Sequence, residues 1–288
     1  MGQGCSGGQW AGELFEVPET GFSIPVRTVA QMGWKPDLPD WRDKVLNLPS
    51  EKRSNLPKNK DLRSQEHFAI YDQGHLGSCT ANAICAAFHF DQIKEGKKDF
   101  TPSRLFVYYN ERSMEGSVEQ DAGAQIRDGI KSVHKIGVCD EAIWPYDETK
   151  FTEKPSKECY RQAKGSRAEK YARVPQTLDD LRGCINEGFP FVFGFMVFSS
   201  FMTGKVQDTG YMTMPQMYDS LLGGHAVMAI GYDDAKRHFV VRNSWGKDWG
   251  DNGYFYMPYD FISNPGLVQD LWTIKFVSGA DLPTSAVS

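Results

Sequence analysis

One cysteine in this chain stands where a reactive thiol would be placed. Cys79 follows a glycine-rich turn, Gly74 to Gly77, and opens a run of good helix formers that extends to Ile93. The unpaired amides and the positive dipole end of a helix N-terminus favour a thiolate, which is the nucleophilic form. Gln73 stands six residues earlier, and its side-chain amide can donate to a developing oxyanion. Taken alone, a cysteine in such a run is more often a buried small hydrophobe.

Two further blocks supply a histidine and an asparagine. His225 lies in Gly-His-Ala-Val and Asn243 opens Asn-Ser-Trp-Gly, 146 and 164 residues after Cys79. With the block Gln-Gly-x-x-Gly-Ser-Cys that ends at Cys79, they resemble the three signatures of papain-like cysteine peptidases, whose His and Asn lie roughly 130 to 150 residues past the nucleophile. A lengthened connection between two strands explains the later position of Asn243.

The resemblance spans residues from about 56 to 277 and implies an α+β fold of two lobes. One is a helical lobe built around a central nucleophile helix, and the other is a β-barrel-like lobe, with the active-site cleft between them. By the same resemblance, Cys79 attacks a peptide carbonyl, and His225 pairs with its thiolate and protonates the leaving amine. Asn243 orients the imidazole, and Gln73 with the Cys79 N–H stabilises the oxyanion.

Substrate contacts are also expected from the matching positions. These residues are Gly77, Ser78, Gly123, Gly194, Ala226 and Trp245. Gly123 would let a peptide backbone approach and pair in an extended way, although a glycine at the start of a helix is an equally good interpretation. Gly194 and Ala226 are small and suggest a roomy main specificity pocket. No histidine has a metal-ligand spacing, and no metal or cofactor is predicted.

The elements that must position these residues are indicated by pattern. Helices are predicted after Cys79, after a cap at Ser103, over 125–133 and after a capping-box-like start at Thr177. Strands are predicted over 190–198, 225–230, 238–243, 253–257 and 271–277, with a hairpin turn at 233–236 that places His225 and Asn243 on neighbouring strands. The polar stretch from about 147 to 175 is predicted to connect a helical lobe, about 70–165, to a β-rich lobe, about 166–277.

The sequence is predicted to divide into an attached N-terminal segment, residues 1–55, and a catalytic domain, residues 56–288. Five prolines fall at short intervals in the segment, and Phe22–Ala30 is a short extended apolar piece that needs a surface to lie on. By the family resemblance the segment is a propeptide that blocks the cleft until its removal. A permanent strap that ties two lobes together remains the alternative.

Composition and charge exclude several classes. A net charge of −5 with interspersed signs and no basic run predicts no nucleic-acid partner. Neither an 18-residue apolar stretch nor a secretory signal pattern is present. Gly2 and Cys5 fit a pattern for two lipid anchors, so a membrane partner is expected only if they are lipidated; a flexible glycine-rich end is the other interpretation. Three locations stay open for the protein: the cytoplasm, export without a classical signal, and attachment to a membrane through an N-terminal lipid anchor. The oligomeric state is not predicted.

Six cysteines without a C-x-x-C spacing favour reduced thiols, with pairing among Cys139, Cys159 and Cys184 left open. The sequence thus predicts a cysteine endopeptidase acting on proteins or peptides, made as a zymogen. Two alternatives stay open: a thiol acyltransferase or transamidase that uses the same acyl-enzyme, and a catalytically silent binding module whose cleft remains covered.

Overall fold

The computed structural model describes residues 32–278. The lipidation pattern at Gly2 and Cys5 and the apolar piece Phe22–Ala30 lie outside the described residues. Within residues 32–278, helices form one side of the fold and a mainly antiparallel sheet forms the other side. This arrangement confirms the α+β fold class.

A buried helix, α2, runs through the middle of the fold from Cys79 to Lys94. All of its residues from Cys79 to Gln92 are buried. It contacts helices α3 (Arg104–Glu115) and α4 (Ile126–Lys135) and strands β5 (Phe191–Phe198), β6 (Leu221–Asp233) and β9 (Val268–Val277). Gly96 follows its end at φ +62°, a backbone conformation that glycine adopts without steric cost. The other helices are α1 (Glu51–Ser54), α3 (Arg104–Glu115), α4 (Ile126–Lys135), α5 (Lys157–Ala163), α6 (Leu178–Asn186), α7 (Gly204–Thr209) and α8 (Tyr259–Ile262).

Seven strands form the main sheet. They are β2 (Asn59–Asp61), β4 (Ala168–Arg173), β5 (Phe191–Phe198), β6 (Leu221–Asp233), β7 (His238–Arg242), β8 (Tyr254–Pro258) and β9 (Val268–Val277). Six of them are ordered β4-β9-β5-β6-β7-β8, and β2 pairs separately with the end of β6. The strands β1 (Trp34–Lys35) and β3 (Ala124–Gln125) form a small parallel pair apart from this sheet.

The expectation of a barrel-like lobe is wrong, because the sheet is open. Its edge strands β4 and β8 do not pair with each other in the described part of the chain. Instead, single bridges cover each edge: Val45 pairs with Arg173 on β4, and Tyr211 pairs with Tyr256 on β8. Connecting segments therefore shield the two edges that closure would have removed.

Helix caps follow the sequence closely. The Ser103 hydroxyl accepts the Phe106 N–H at the start of α3, and the Thr177 hydroxyl accepts the Asp180 N–H at the start of α6. The polar stretch predicted as a simple connection contains α5 and β4, so that prediction missed two elements. Ser156 caps α5 by accepting the Cys159 N–H, a signal that the sequence offered.

The core lies between α2 and the sheet and is rich in aromatic rings. Phe195 on β5 sits at its centre, with ring contacts to Phe201, Phe255 and Phe261. All five cysteines in the described residues carry free thiols. The fold there is held by packing and hydrogen bonds.

The Thr177 cap gives a direct test of this local structure. Substituting Thr177→Ala removes the acceptor for the Asp180 N–H and should lower the free energy of unfolding by about 1 kcal/mol. Thr177→Ser retains a hydroxyl and should cost much less. Urea denaturation of the full chain measures both; equal losses in the two variants would show that the hydroxyl does not cap α6.

Candidate active site

The turn before α2 is fixed from both sides of the molecule. The backbone N–H of Gln73 donates to Ser244 O at 2.9 Å, which ties the turn to the segment after β7. The Gly77 N–H donates to both carboxylate oxygens of Asp121 at 3.1 and 3.0 Å, which ties it to the helical lobe. Cys79 then starts α2, as predicted, and its side chain is fully buried.

His225 on β6 and Asn243, which directly follows β7, are brought together because these two strands are neighbours in the sheet. Nε2 of His225 lies 2.8 Å from Oδ1 of Asn243. The backbone N–H of Ser244 donates to the same oxygen at 2.9 Å, which fixes the orientation of the amide. Since this oxygen can only accept, it selects the His225 tautomer that carries its proton on Nε2. The predicted pairing of these two residues is present in the structure.

Trp245 covers the histidine. Its ring stacks on the His225 imidazole with centroids 4.8 Å apart and an interplanar angle of 28°. Trp249 meets Trp245 edge-on at 5.0 Å, and Phe201 packs beside both. All three aromatic residues are buried, so the imidazole and its bond to Asn243 lie behind an apolar wall that excludes water.

The Gln73 amide is held by a residue that the sequence analysis did not single out. Its Nε2 donates to Leu76 O at 2.9 Å, and its Oε1 accepts the Ser244 hydroxyl at 2.8 Å. Ser244 thereby fixes which end of the amide carries the N–H groups. The position of Ser244 next to Asn243 in the Asn-Ser-Trp block was the available signal.

The side chains of Ser78 and Thr80, on either side of Cys79, point into the helical lobe. The Ser78 hydroxyl lies 2.5 Å from the Tyr146 hydroxyl and accepts from Asn82, so only the Ser78 backbone is available to a substrate. Thr80 donates to Glu111 Oε1 at 2.6 Å. Burial raises the pKa of the Glu111 carboxyl well above its usual value, which favours its uncharged form beneath the first turn of α2.

The N-terminal segment lies directly over Cys79. Gly33 is packed against Gly77 and Gly123: a Cβ on Gly33 would be 1.6 Å from Gly77 O, and a Cβ on Gly123 would be 1.9 Å from Gly33 O. The Ala124 N–H donates to Gly33 O at 2.8 Å and begins the parallel β1–β3 pair. Gly123 adopts φ +65°, so both close approach and backbone conformation favour glycine there.

Trp34, the next residue, packs at the positions predicted to line the main specificity pocket, Gly194 and Ala226. A Cβ on Gly194 would be 1.9 Å from Cε2 of the Trp34 indole. Ala226 pairs with Gly194 across β5 and β6, so the two small residues line one place, as predicted. In this structure that place is filled by Trp34, which the sequence analysis missed because nothing in its local pattern distinguishes it.

A cluster of ion pairs fastens the segment to both halves of the fold. Asp43 pairs with Arg127 on α4 and with Arg173 on β4, both at 2.6 Å. Arg173 also pairs with Asp37 at 2.8 Å, and Arg127 donates to Leu38 O. Asp43 and Asp37 have buried carboxylates, so these pairs are far less screened than surface pairs.

Burial controls the ionisation of the Cys79 thiol. Desolvation raises the pKa of the Cys79 thiol to about 12, and the backbone N–H groups of Ala226 and Gly33 only partly oppose this. The expectation that the helix N-terminus favours a thiolate therefore does not describe the covered cleft, where loss of water outweighs the dipole.

Comparison with known proteins places this arrangement in a class. The model of the family described as "Papain family cysteine protease" matches residues 56–270. Xylellain, a cysteine protease from Xylella fastidiosa, has a similar structure with a TM-score of 0.82 and 44% identity, covering 88% of this chain and 99% of that one. An uncharacterized peptidase C1-like protein of Acanthamoeba polyphaga mimivirus is 50% identical over 216 residues, 72% of this chain and 70% of the relative.

More distant likenesses agree. Cathepsin B-like CP2 of Giardia intestinalis is 26% identical, covering 85% of this chain and 93% of the relative. The structure of digestive procathepsin L 3 from Tenebrio molitor shares the fold at a TM-score of 0.67 and 18% identity, covering 86% of this chain and 77% of that one.

Fold and site define a cysteine-dependent peptide hydrolase with a cleft between a helical and a β-rich part. The chain belongs to the papain family of cysteine proteases, and its substrates are proteins or peptides. Among the helices of residues 32–278, none has both the length and the apolar character that a bilayer crossing requires.

The raised pKa predicts how the thiol reacts in the full chain. Because Cys79 is protonated at neutral pH, its alkylation by iodoacetamide should be slow at pH 7 and should rise about tenfold per pH unit between pH 7 and 9. Trp34→Ala, which removes the side chain that packs the segment against Gly194, should loosen the segment over Cys79 and increase the rate at pH 7. Peptide mass analysis identifies the modified cysteine. Fast, pH-independent alkylation of wild-type Cys79 would contradict the burial of the thiol.

Proposed function

We propose that this chain is an endopeptidase that uses Cys79 as nucleophile, His225 as proton carrier and Asn243 as the group that orients the imidazole. The observation that carries the proposal is the hydrogen bond from His225 Nε2 to Asn243, on a strand whose next backbone N–H, that of Ala226, reaches the Cys79 sulfur. In this proposal Nδ1 exchanges the proton with the thiol, because Nε2 is bonded to Asn243.

In the proposed reaction, the proton of the open-cleft thiol passes to His225. The sulfur then bonds to the substrate carbonyl carbon, and the charge on its oxygen is met by the Cys79 N–H and the Gln73 amide. The carbon–nitrogen bond breaks as His225 gives its proton to the leaving amine, which forms a thioester. Water, deprotonated by His225, hydrolyses the thioester and restores the thiol.

We further propose that residues 1–55 keep the enzyme inactive until the segment is displaced. Three features support this: Gly33 lies over the sulfur, Trp34 fills the pocket at Gly194, and the pKa of Cys79 is high in this covered state. Substrate cannot reach Cys79 while Gly33 is packed between Gly77 and Gly123. Removal would free the cleft and return water to it.

The role of Gln73 can be tested together with the residue that holds it. Gln73→Ala should lower kcat about 100-fold, because one oxyanion donor is lost. Ser244→Ala should lower kcat by about fivefold, because the amide loses one orienting bond. In the double variant, Ser244→Ala should have no further effect, since its target is gone. Peptidase kinetics, measured after removal of the N-terminal segment, test this. Equal effects of Ser244→Ala in both backgrounds would show that Ser244 does not act through the Gln73 amide.

The zymogen proposal is tested with a chain that folds whole and is then cut. A recognition site for a sequence-specific protease is inserted between Pro49 and Ser50, which are both exposed. After cutting and removal of the released segment, the protein should cleave peptides from a library at internal bonds, and mass spectrometry identifies the products. The uncut chain should be at least 100-fold slower, and the cut Cys79→Ala chain should be inactive.

Other outcomes identify the alternatives. A cut chain that labels with the epoxide inhibitor E-64 but joins amines to peptides instead of hydrolysing them would be a transamidase. A cut chain that neither labels nor cleaves would be a silent binding module. Equal activity before and after cutting would overturn the zymogen proposal and leave the segment as a permanent strap.

A further inference from the structure

Two of the buried cysteines lie against each other in a small core of their own. Cys139 and Cys159 are fully buried in a cluster that is separate from the main core. The Cys139 thiol is in hydrogen-bonding contact with the Cys159 sulfur, and Ser156 Oγ lies 3.2 Å from that same sulfur. Cys184, the third cysteine whose pairing the sequence left open, belongs to the main core and donates to Phe189 O at 3.5 Å.

Hydrogen bonds hold the backbone on both sides of Cys139 against α5 and the turn that follows it. The Val138 N–H donates to Ser166 O at 2.9 Å, and the Asp140 N–H donates to Gln162 Oε1 at 2.7 Å. Gln162 lies about one helical turn after Cys159 on α5. A disulfide forms without strain only where two backbones are already close together, and this arrangement meets that requirement.

The chain between the two cysteines carries two side chains that support the turn before Cys79. The Tyr146 hydroxyl donates to Gln73 O at 2.8 Å. Glu148 Oε2 accepts the His75 N–H at 2.9 Å. A covalent bond between the two cysteines would close both supporting residues into a loop and restrict their movement away from the turn.

We propose that Cys139 and Cys159 are a disulfide-forming pair, a site of oxidative modification that closes residues 139–159 into a loop and stabilises the turn before Cys79. The oxidant is a small-molecule disulfide such as glutathione disulfide. Neither cysteine belongs to the site of Cys79 and His225, so the modification is separate from the proposed peptidase chemistry.

The modification proceeds by two thiol–disulfide exchanges. Cys159 reacts first, because α5 is a short helix whose outer residues are exposed, and its local opening uncovers the sulfur. The Cys159 thiolate attacks glutathione disulfide, forms a mixed disulfide and releases one glutathione thiolate. The Cys139 thiolate then attacks the Cys159 sulfur and releases the second. Two cysteine thiols are oxidised, one glutathione disulfide is reduced, and the two released thiolates take up the two protons that the cysteines lost.

Oxidation of the full chain tests the pair directly. The protein is incubated with glutathione disulfide and unfolded, its remaining thiols are blocked with N-ethylmaleimide, and its peptides are mapped without reduction by mass spectrometry. A linked pair of peptides that contain Cys139 and Cys159 is expected. Recovery of these two cysteines in blocked form, or linkage of either to another cysteine, would overturn the proposal.

Thermal stability gives the second measurement, made in a Cys79→Ala background so that modification of that thiol cannot contribute. The oxidised chain should melt roughly 5 °C or more above the reduced chain, because closing a loop of about 20 residues restricts the unfolded state. In Cys139→Ala and Cys159→Ala the oxidant should leave Tm unchanged, whatever each substitution itself costs. Cys184→Ala, which removes a buried cysteine outside the pair, is the matched control and should retain the full shift. A shift that persists in Cys159→Ala, or is lost in Cys184→Ala, would overturn the proposal.

Hydrogen exchange measures the effect on the turn. The His75 amide, which donates to Glu148, should exchange roughly threefold or more slowly in the oxidised chain than in the reduced chain. The oxidant should not change this rate in Cys159→Ala. Equal His75 exchange in the oxidised and reduced chains would show that loop closure does not stabilise the turn and would overturn that part of the proposal.

Discussion

The structure depends on one contact between distant parts of the chain, where the first turn of α2 meets strand β6. Cys79 and Ala226 are 147 residues apart in sequence, yet the Ala226 N–H reaches the Cys79 sulfur. This contact places His225, the residue before Ala226, beside Cys79. It also requires that helix and sheet share one core. It also removes water from the thiol, so the packing that assembles the site opposes formation of its charged state.

The N-terminal segment completes that exclusion of water. Where the segment crosses Cys79, its residue is a glycine, Gly33, which fits between Gly77 and Gly123. The next residue, Trp34, places its indole in the pocket at Gly194. Buried ion pairs of Asp37 and Asp43 then bind it to α4 and β4. Burial and the nearby Asp270 raise the pKa of Asp37 to about 6, so this attachment includes a carboxyl group at the edge of its charged range. Both halves of the fold hold the segment, and its departure would loosen a connection between them.

The sequence predicted most reliably what local pattern determines. The start of α2 at Cys79, the caps at Ser103 and Thr177 and the adjacency of His225 to Asn243 all follow from short-range signals, namely capping residues, alternation and a hairpin turn. The openness of the sheet was not predictable, because edge strands are covered by single bridges from remote segments. The Trp34–Asp270 bond joins residues 236 positions apart and leaves no local pattern. The thiol pKa was misjudged for the same reason, since a helix dipole is visible in sequence and burial by a distant segment is not.

The central claim is that residues 33 and 34 occupy the substrate cleft. It is tested most directly by adding a synthetic peptide of residues 32–48 to the cut enzyme from which the N-terminal segment has been removed. The claim predicts competitive inhibition, with apparent KM rising in proportion to peptide while kcat is unchanged, and much weaker inhibition by the peptide carrying Trp34→Ala. Inhibition that lowers kcat without changing KM, or equal inhibition by the two peptides, would contradict it.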